Sequence, residues 1–229
     1  MRLSWVLLPV YHGGMSSHSV AGLLVLAGAC LVTPVWSQAI SFESNGLKYQ
    51  TITKAGLTIM FAPLPTQVKS FMVLQLAISN GSPSTRSIKP EDFRFVRSDG
   101  SEIPATPARA VVQKFLDKGG RNDVVNMVGT YELGLYGLSR FQSTNGYEQR
   151  RQAALAEVSS SRLKAAAAAS AIVLIATKLK AGESTDGAIF FPVSNQGLGP
   201  GKLVAQVGAE RFEFEVGGFK HPSELIRRP

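Results

Sequence analysis

Residues 70–80 read SFMVLQLAISN and carry apolar side chains at both odd and even positions. Successive side chains of a strand point to opposite faces. One face would carry the even-numbered Met72, Leu74, Leu76 and Ile78, and the other would carry Phe71, Val73 and Ala77. Because both faces are apolar, the stretch predicts a central strand that is buried on both sides. Residues 80–83, NGSP, end it as a turn.

Seven further strands are predicted around this one, over residues 47–53, 57–61, 92–97, 102–103, 188–193, 203–207 and 211–216. Phe93 and Phe95 share one face of their strand, and the Ser-Asp-Gly turn at 98–100 leads to a returning strand at Glu102 and Ile103. The last strand alternates apolar with charged residues, which is typical of a strand with one buried face.

Between the two groups of strands the pattern changes to helical spacing. Thr106 as N-cap, Pro107 at the first position and Gly119 as the stop predict a short helix. Its apolar stripe consists of Val111, Val112, Phe115 and Leu116. Residues 123–138 are interrupted by three glycines, each of which disfavours a helix by roughly 1 kcal/mol, so either a helix or a close-packed loop fits this part.

Residues 147–179 are rich in alanine and predict one long helix. The apolar positions recur at helical spacing, at Leu155, Val158, Ala165, Ala169, Ile172, Ala176 and Leu179. The uncharged run 165–177 is shorter than the roughly 20 residues needed to span a bilayer, so we expect it to pack on the β-rich core. Arg150, Arg151 and Lys164 would then face water.

Two segments, LQLAISNGSPSTRSIKPEDFRFVRSDGSEI at 74–103 and LKAGESTDGAIFFPV at 179–193, resemble bacterial exported immunoglobulin-like β-sandwich domains. The resemblance implies an immunoglobulin-like β-sandwich, and the helical spacing adds an insertion, giving an α+β fold. We expect residues 40–104 and 182–218 to form the two halves of one sandwich core. Residues 105–181 would be the helical insertion and 219–229 a basic tail.

Residues 1–39 predict a signal peptide. The stretch 20–35, VAGLLVLAGACLVTPV, is apolar and uncharged, and it is followed by small residues at Ser37 and Ala39. Signal peptidase requires small side chains of this kind, so the mature chain is expected to begin near Gln38 or Ile40. The protein would then be periplasmic or secreted and would meet the membrane only through its leader.

Three alternatives for this leader remain open. Initiation at Met15 would give a leader of more ordinary length. Cys30, the single cysteine, would be lipidated if Ala27–Cys30 served as a lipoprotein signal, although such signals prefer leucine where Ala27 stands. An uncleaved leader would anchor the protein in the membrane. If the leader is removed, the domain has no cysteine and its stability depends on packing.

The formal net charge of +8 favours anionic surroundings. Another envelope protein or an anionic envelope surface is therefore the expected kind of partner. Specific nucleic-acid recognition is not expected, because the basic residues are scattered along the chain instead of forming one stripe with aromatic residues.

Residues for catalysis are scarce. His12 and His18 precede the predicted cleavage point, which leaves His221 alone and rules out a histidine zinc site. Ser161 and Lys164 match the Ser-x-x-Lys spacing of penicillin-recognising enzymes, but the other motifs of those enzymes are missing. Four carboxylates near the predicted hairpin could bind a cation or act as a glycosidase pair, namely Glu91, Asp92, Asp99 and Glu102.

The sequence therefore predicts a noncatalytic binding module with no catalytic, cofactor-binding or metal-binding residues and no cofactor. The alternative is a hydrolase of cell-wall or polysaccharide material that uses two of those carboxylates. Pilus-type periplasmic chaperones are also basic, exported and immunoglobulin-like, but they are all-β and capture a partner strand at a sheet edge. The helical middle third distinguishes this chain from them.

Overall fold

The computed structural model describes residues 39–65, 67–138, 143, 146–156, 160–193 and 197–217. Within these residues the fold is α+β, with antiparallel sheets and four α-helices. The strands are β1 (Ile40–Ser44), β2 (Leu47–Lys54), β3 (Leu57–Pro63), β4 (Phe71–Asn80), β5 (Arg86–Ile88), β6 (Phe93–Arg97), β7 (Glu102–Pro104), β8 (Thr177–Leu179), β9 (Ser184–Pro192), β10 (Gly201–Val207) and β11 (Glu210–Val216). The helices are α1 (Ala108–Lys118), α2 (Arg121–Gly137), α3 (Tyr147–Leu155) and α4 (Ser161–Ile172).

The predicted central strand is β4, which lies between β3 and β9 in a five-stranded sheet of order β1-β2-β3-β4-β9. Nine of its ten residues are buried. Leu74, Leu76 and Ile78 contribute to a core shared with the second sheet. Phe71, Val73 and Ala77 contribute to a core shared with the helices. The prediction of burial on both sides is confirmed, because one face of this sheet is covered by strands and the other by helices.

The second sheet has the order β11-β10-β6-β7, and its inner face packs on the five-stranded sheet. Phe214 packs edge to face on Phe61, with ring centroids 5.0 Å apart. The ring centroids of Phe95 and Phe191 are 6.2 Å apart. The predicted hairpin of residues 92–103 is confirmed, since β6 pairs with β7. Alternation in the last strand is confirmed too, because Phe212 and Phe214 are buried while Glu213 is exposed.

Strands from the two ends of the described chain share both sheets, as the single-core prediction required. The pairing of β4 with β9 joins residues 71–80 to the late part of the chain, and β6 pairs with β10. A two-stranded sheet of β5 and β8 adds a third connection of the same kind. The helices therefore interrupt one continuous β structure.

The first strand, β1, was not predicted. It forms a hairpin with β2 through a two-residue turn in which Asn45 and Gly46 both have positive φ, 48° and 74°. An Asn-Gly pair favours this turn, because both residues tolerate the left-handed region. The dipeptide was the signal in the sequence that could have revealed the strand.

Helix α1 confirms the predicted short helix but begins at Ala108, after an N-cap at Pro107 instead of Thr106. The backbone N–H of Thr106 donates to the carbonyl of Phe190 in β9, so this residue connects the helix to the sheet. Gly119 ends the helix as predicted. Here a Cβ would lie 2.6 Å from that of Ala165 in α4, so the close crossing of the two helices requires glycine.

The long helix predicted over 147–179 is wrong. The described residues form two helices, α3 and α4, and the segment after Ile172 is extended. The Leu174 N–H donates to Ala188 in β9, and β8 pairs with β5, so the backbone exchanges helical hydrogen bonds for bonds to strands. Ala176 and Leu179 are therefore not on a helix, and Val158 lies outside the described residues.

Burial of the alanine-rich segment on the β core is confirmed for α4, in which six residues from Ala165 to Ile172 are buried. Small side chains let this helix contact α1, α2 and α3 closely. Among the described residues, no helix is both long enough and apolar enough to cross a membrane. The leader, including Met15 and Cys30, and the tail at 219–229, including His221, lie outside the described part of the chain.

Candidate functional site

The four carboxylates singled out in the sequence are not brought together. Glu91 and Asp92 precede β6, whereas Asp99 and Glu102 lie at its other end. The Asp92 carboxylate accepts the backbone N–H of Lys89 at 2.9 Å, and that of Asp99 accepts the N–H of Ser101 at 2.8 Å. Glu102 pairs with Arg94 at 3.2 Å. Three of the four thus have a local structural partner.

Burial and hydrogen bonding shift the pKa values of two of these carboxylates in opposite directions. Burial raises the pKa of Asp92 above its usual value. Hydrogen bonds from Ser101 lower the pKa of Asp99. Asp99 lines a cavity of about 390 Å³ with Arg97, Ser98 and residues 197–200, and it is the one carboxylate among the described lining residues. This cavity does not contain a pair of carboxylates.

The remaining sequence candidates do not form a site in the described residues. Ser161 and Lys164 are exposed in the first turn of α4. Asn80, in the Asn-Gly-Ser sequence, is fully buried, and its amide nitrogen donates to the carbonyls of Leu179 and Ser84. Its side chain therefore holds the turn after β4. In the described part of the chain no three His, Cys, Asp or Glu residues are grouped to hold a metal ion.

A buried polar network lies between α2 and the five-stranded sheet. The Tyr131 hydroxyl donates to Oδ2 of Asp186, and the Tyr49 hydroxyl donates to the carbonyl of Gly134 at 2.9 Å. The Gln75 amide nitrogen donates to the carbonyl of Tyr131 at 3.3 Å. A Cβ at Gly134 would lie 1.8 Å from Oε1 of Gln75, so only glycine allows this approach. The network fixes α2 on the sheet.

Burial determines the protonation of the tyrosines in this network. Burial raises the pKa of Tyr49 to about 12. Burial also raises the pKa of Tyr131 well above its ordinary value; the negative charge of Asp186 adds to the effect, and Arg150 opposes it. Both phenols therefore remain protonated hydrogen-bond donors at neutral pH.

A second polar group connects α2 to α3. The Tyr147 hydroxyl donates to Glu132 at 3.1 Å, and Nε of Arg151 lies 2.6 Å from the same carboxylate oxygen. Burial raises the pKa of Tyr147. The guanidinium nitrogens of Arg150 are buried. The prediction that Arg150 faces water is therefore wrong. The Arg151 side chain is 32% exposed, and Lys164 is exposed as predicted.

The outer side of α2 carries exposed apolar side chains. Val125, Leu133 and Tyr136 are 63%, 45% and 59% exposed. Together with the exposed Gly129 they are three or four residues apart and so occupy one side of the helix. We call these four residues the α2 face. Its side chains are apolar or aromatic and none of its residues is charged, a composition that is common in protein interaction sites.

Sequence reasoning did not identify the α2 face. The signal was present, because α2 has apolar residues on its inner side, such as Met127, and on its outer side as well. An ordinary surface helix has a polar outer side. The three glycines, however, left it open whether this segment is a helix. Without a helix, residues three or four apart are not expected to share one side.

No protein-family model matches the chain, and no curated protein matches it. One solved structure, the yjhA protein from Bacillus subtilis, aligns with 72% of this chain and 76% of its own length, at 6% sequence identity and a TM-score of 0.29. A similarity at this level supports no argument about fold or function.

Proposed function

We propose that this protein is a noncatalytic binding module of the cell envelope or of the secreted fraction, and that the α2 face binds a partner protein. The exposed apolar side chains of Val125, Leu133 and Tyr136 carry this proposal. An apolar patch in water is unfavourable unless a partner covers it.

The support beneath the α2 face fits a binding role. The helix is held by the Tyr131–Asp186 hydrogen bond on its inner side. Near its C-terminal end, the Asn45 side chain donates to the carbonyl of Leu133, and the Tyr136 hydroxyl donates to Glu148 of α3. A surface held in one orientation loses little conformational entropy when it binds, which favours affinity.

The charges of α2 favour a protein partner over a lipid surface. Helices that lie on membranes are rich in Lys and Arg on their polar side. Within α2, Arg121 is the only basic residue, and Asp123 and Glu132 are acidic. The charge of +8 over the whole chain favours a partner of net negative charge.

We further propose that the two sheets represent an immunoglobulin-like β-sandwich. The shared core between them and the use of strands from both halves of the chain support this assignment. The apolar stretch at 20–35 followed by small residues supports export to the envelope or the medium. The partner would accordingly be another envelope protein.

The test is site-specific photo-crosslinking in cells with a photoreactive amino acid in place of Tyr136, compared with the same substitution at Leu163. Leu163 is an exposed apolar residue of α4, 49% accessible, and serves as the matched control. The partner captured at Tyr136 is then purified and its affinity measured by calorimetry. Val125→Lys and Leu133→Lys should weaken binding by at least about tenfold, because a charge would be buried in the apolar contact.

The proposal fails if Leu163→Lys weakens binding as much as Val125→Lys does. It also fails if Tyr136 crosslinks only to lipid. Turnover of a polysaccharide or cell-wall substrate that is abolished by Glu91→Gln, Asp92→Asn, Asp99→Asn or Glu102→Gln would replace it with the hydrolase alternative.

A further inference from the structure

Among the described residues, strand β1 has one edge that no other strand pairs with. It is the terminal strand of the sheet, paired with β2 on one side, and within the described residues no strand pairs with its other side. Ile40, Ser41, Phe42 and Glu43 are all exposed. An open edge with apolar side chains is a template for the addition of another strand.

In the described structure the other edges of the two large sheets are covered or short. The side chains of Gln50 and Lys54 donate to the carbonyls of Glu215 and Arg211 along β11, at 2.7 and 2.6 Å. On the outer edge of β9, the carbonyls of Phe190 and Ala188 accept the backbone N–H groups of Thr106 and Leu174. Strand β7 has three residues and ends in proline, which discourages pairing. Strand β1 has none of these protections.

The turn of the β1–β2 hairpin determines which backbone groups face the open edge. A two-residue turn makes the flanking Ser44 and Leu47 a hydrogen-bonded pair. Hydrogen-bonded and non-hydrogen-bonded pairs alternate along an antiparallel ladder. Phe42 and its partner Tyr49 in β2 are therefore a hydrogen-bonded pair as well. The N–H and C=O groups of Ser41 and Glu43 therefore point away from β2, toward the open edge.

We propose that β1 pairs antiparallel with β1 of a second copy of this chain, about a two-fold axis at Phe42. In this register Ser41 lies opposite Glu43 of the second copy, and the outward-pointing backbone groups of the two residues bond to each other. Phe42 lies opposite Phe42 of the second copy at a position where side chains are closest. All five residues of β1 are used.

Charge and aromatic contacts select this register. Pairing centred on Glu43 would place two carboxylates opposite each other, which is unfavourable. Pairing centred on Phe42 places each carboxylate opposite a serine. Phe42 already stacks on Tyr49 with centroids 5.3 Å apart, so the two-fold pairing would continue an aromatic row across the interface. The dimer contact uses residues other than those of the α2 face.

Cysteine crosslinking tests the register directly. Cys30 is the only cysteine, so Cys30→Ser gives a background without thiols. On mild oxidation, Phe42→Cys in this background should form a disulfide-linked dimer at least about tenfold faster than Ile40→Cys, because the opposed Cα atoms of the former would be within bonding range. In the proposed dimer the two copies of residue 40 are separated by about four strand positions, roughly 13 Å. Equal rates for the two variants would overturn the register.

Sedimentation equilibrium of the exported protein tests the association itself. The unmodified protein should dimerise as concentration rises, and Ser41→Pro should weaken the dimer at least about tenfold, because it removes an N–H that points to the second copy. Leu163→Lys, on α4, should leave the dimer unchanged. A protein that stays monomeric at every concentration, or a dimer that is unaffected by Ser41→Pro in a variant with an unchanged circular dichroism spectrum, would refute the proposal. If Ser41→Pro does not fold, the crosslinking comparison decides.

Discussion

The hydroxyl of Tyr131 in α2 donates a hydrogen bond to Oδ2 of Asp186 in β9, and both side chains are buried. A hydrogen bond to a charged group in a low-dielectric interior is stronger than one between neutral groups in water. This contact therefore connects the helical layer to the central sheet and holds the α2 face in place.

Removal of the Tyr131 hydroxyl should destabilise the protein. We expect Tyr131→Phe to lower the free energy of unfolding by about 1–3 kcal/mol, because the buried carboxylate loses a donor. Tyr136→Phe is the matched control, since Tyr136 lies on the same helix and also donates to a carboxylate, but is exposed. Its effect should be below about 0.5 kcal/mol in urea denaturation. An equal decrease in the free energy of unfolding for both variants would show that the buried hydrogen bond stabilises the protein no more than the exposed one.

Alkaline pH should destabilise the fold through its buried tyrosines. Burial raises the pKa of Tyr49 to about 12 and also raises the pKa of Tyr131 and Tyr147. Phenols in the unfolded chain ionise near pH 10, so above that pH the unfolded state has released protons that the folded state retains. The free energy of unfolding should therefore fall as pH rises above about 10.

Absorbance at 295 nm, which reports phenolate, measures this directly. In the folded protein these three phenols should titrate above pH 10, and in urea they should titrate near 10. Titration of every phenol near pH 10 in the folded protein would contradict the prediction.

Two glycines of α2 should respond in opposite ways to alanine. Gly134→Ala would place a Cβ 1.8 Å from Gln75, and it should destabilise the protein by about 1–3 kcal/mol or more through overpacking. Gly129→Ala meets open space and should stabilise it by about 0.5–1 kcal/mol, because alanine favours the helix. Thermal melts of the two variants make the comparison. A loss of stability at Gly129 would show that α2 is not a regular helix there.

Core truncation should be costly in both sheets. Leu74→Ala, Leu76→Ala or Phe214→Ala should lower the free energy of unfolding by about 2–5 kcal/mol, since each side chain is fully buried between the sheets. Leu163→Ala removes an equivalent side chain from an exposed position and should change stability by less than about 0.5 kcal/mol. Urea denaturation measures each value. Losses below 1 kcal/mol at both Leu74 and Phe214 would refute the shared core.

The N-terminus of the exported protein should lie near Gln38 or Ile40, because Ser37 and Ala39 supply the small residues that signal peptidase requires. Intact-mass spectrometry of the purified protein measures this. A mass that includes residues 1–38 would indicate a membrane anchor, and a diacylglyceryl adduct on Cys30 would indicate a lipoprotein.

Local patterns in the sequence determined most of the β strands, but β1, β5 and β8 were not predicted. Two-sided apolar character predicted the burial of β4, and alternation in residues 211–216 predicted which face of β11 is buried. These predictions succeed because side-chain alternation and turn chemistry are properties of neighbouring residues. The Asn45-Gly46 turn was equally local, so β1 could have been predicted as well.

Only the tertiary structure decided where the alanine-rich helix ends and what α2 presents. The sequence favoured helix through Leu179, but after Ile172 the backbone bonds to β9 instead, a partner distant in sequence. The cluster of Tyr49, Gln75, Tyr131 and Asp186 joins four elements whose residues show no common spacing. Long-range contacts of this kind override local propensity because burial and hydrogen bonding outweigh the fraction of a kcal/mol per residue that propensity contributes.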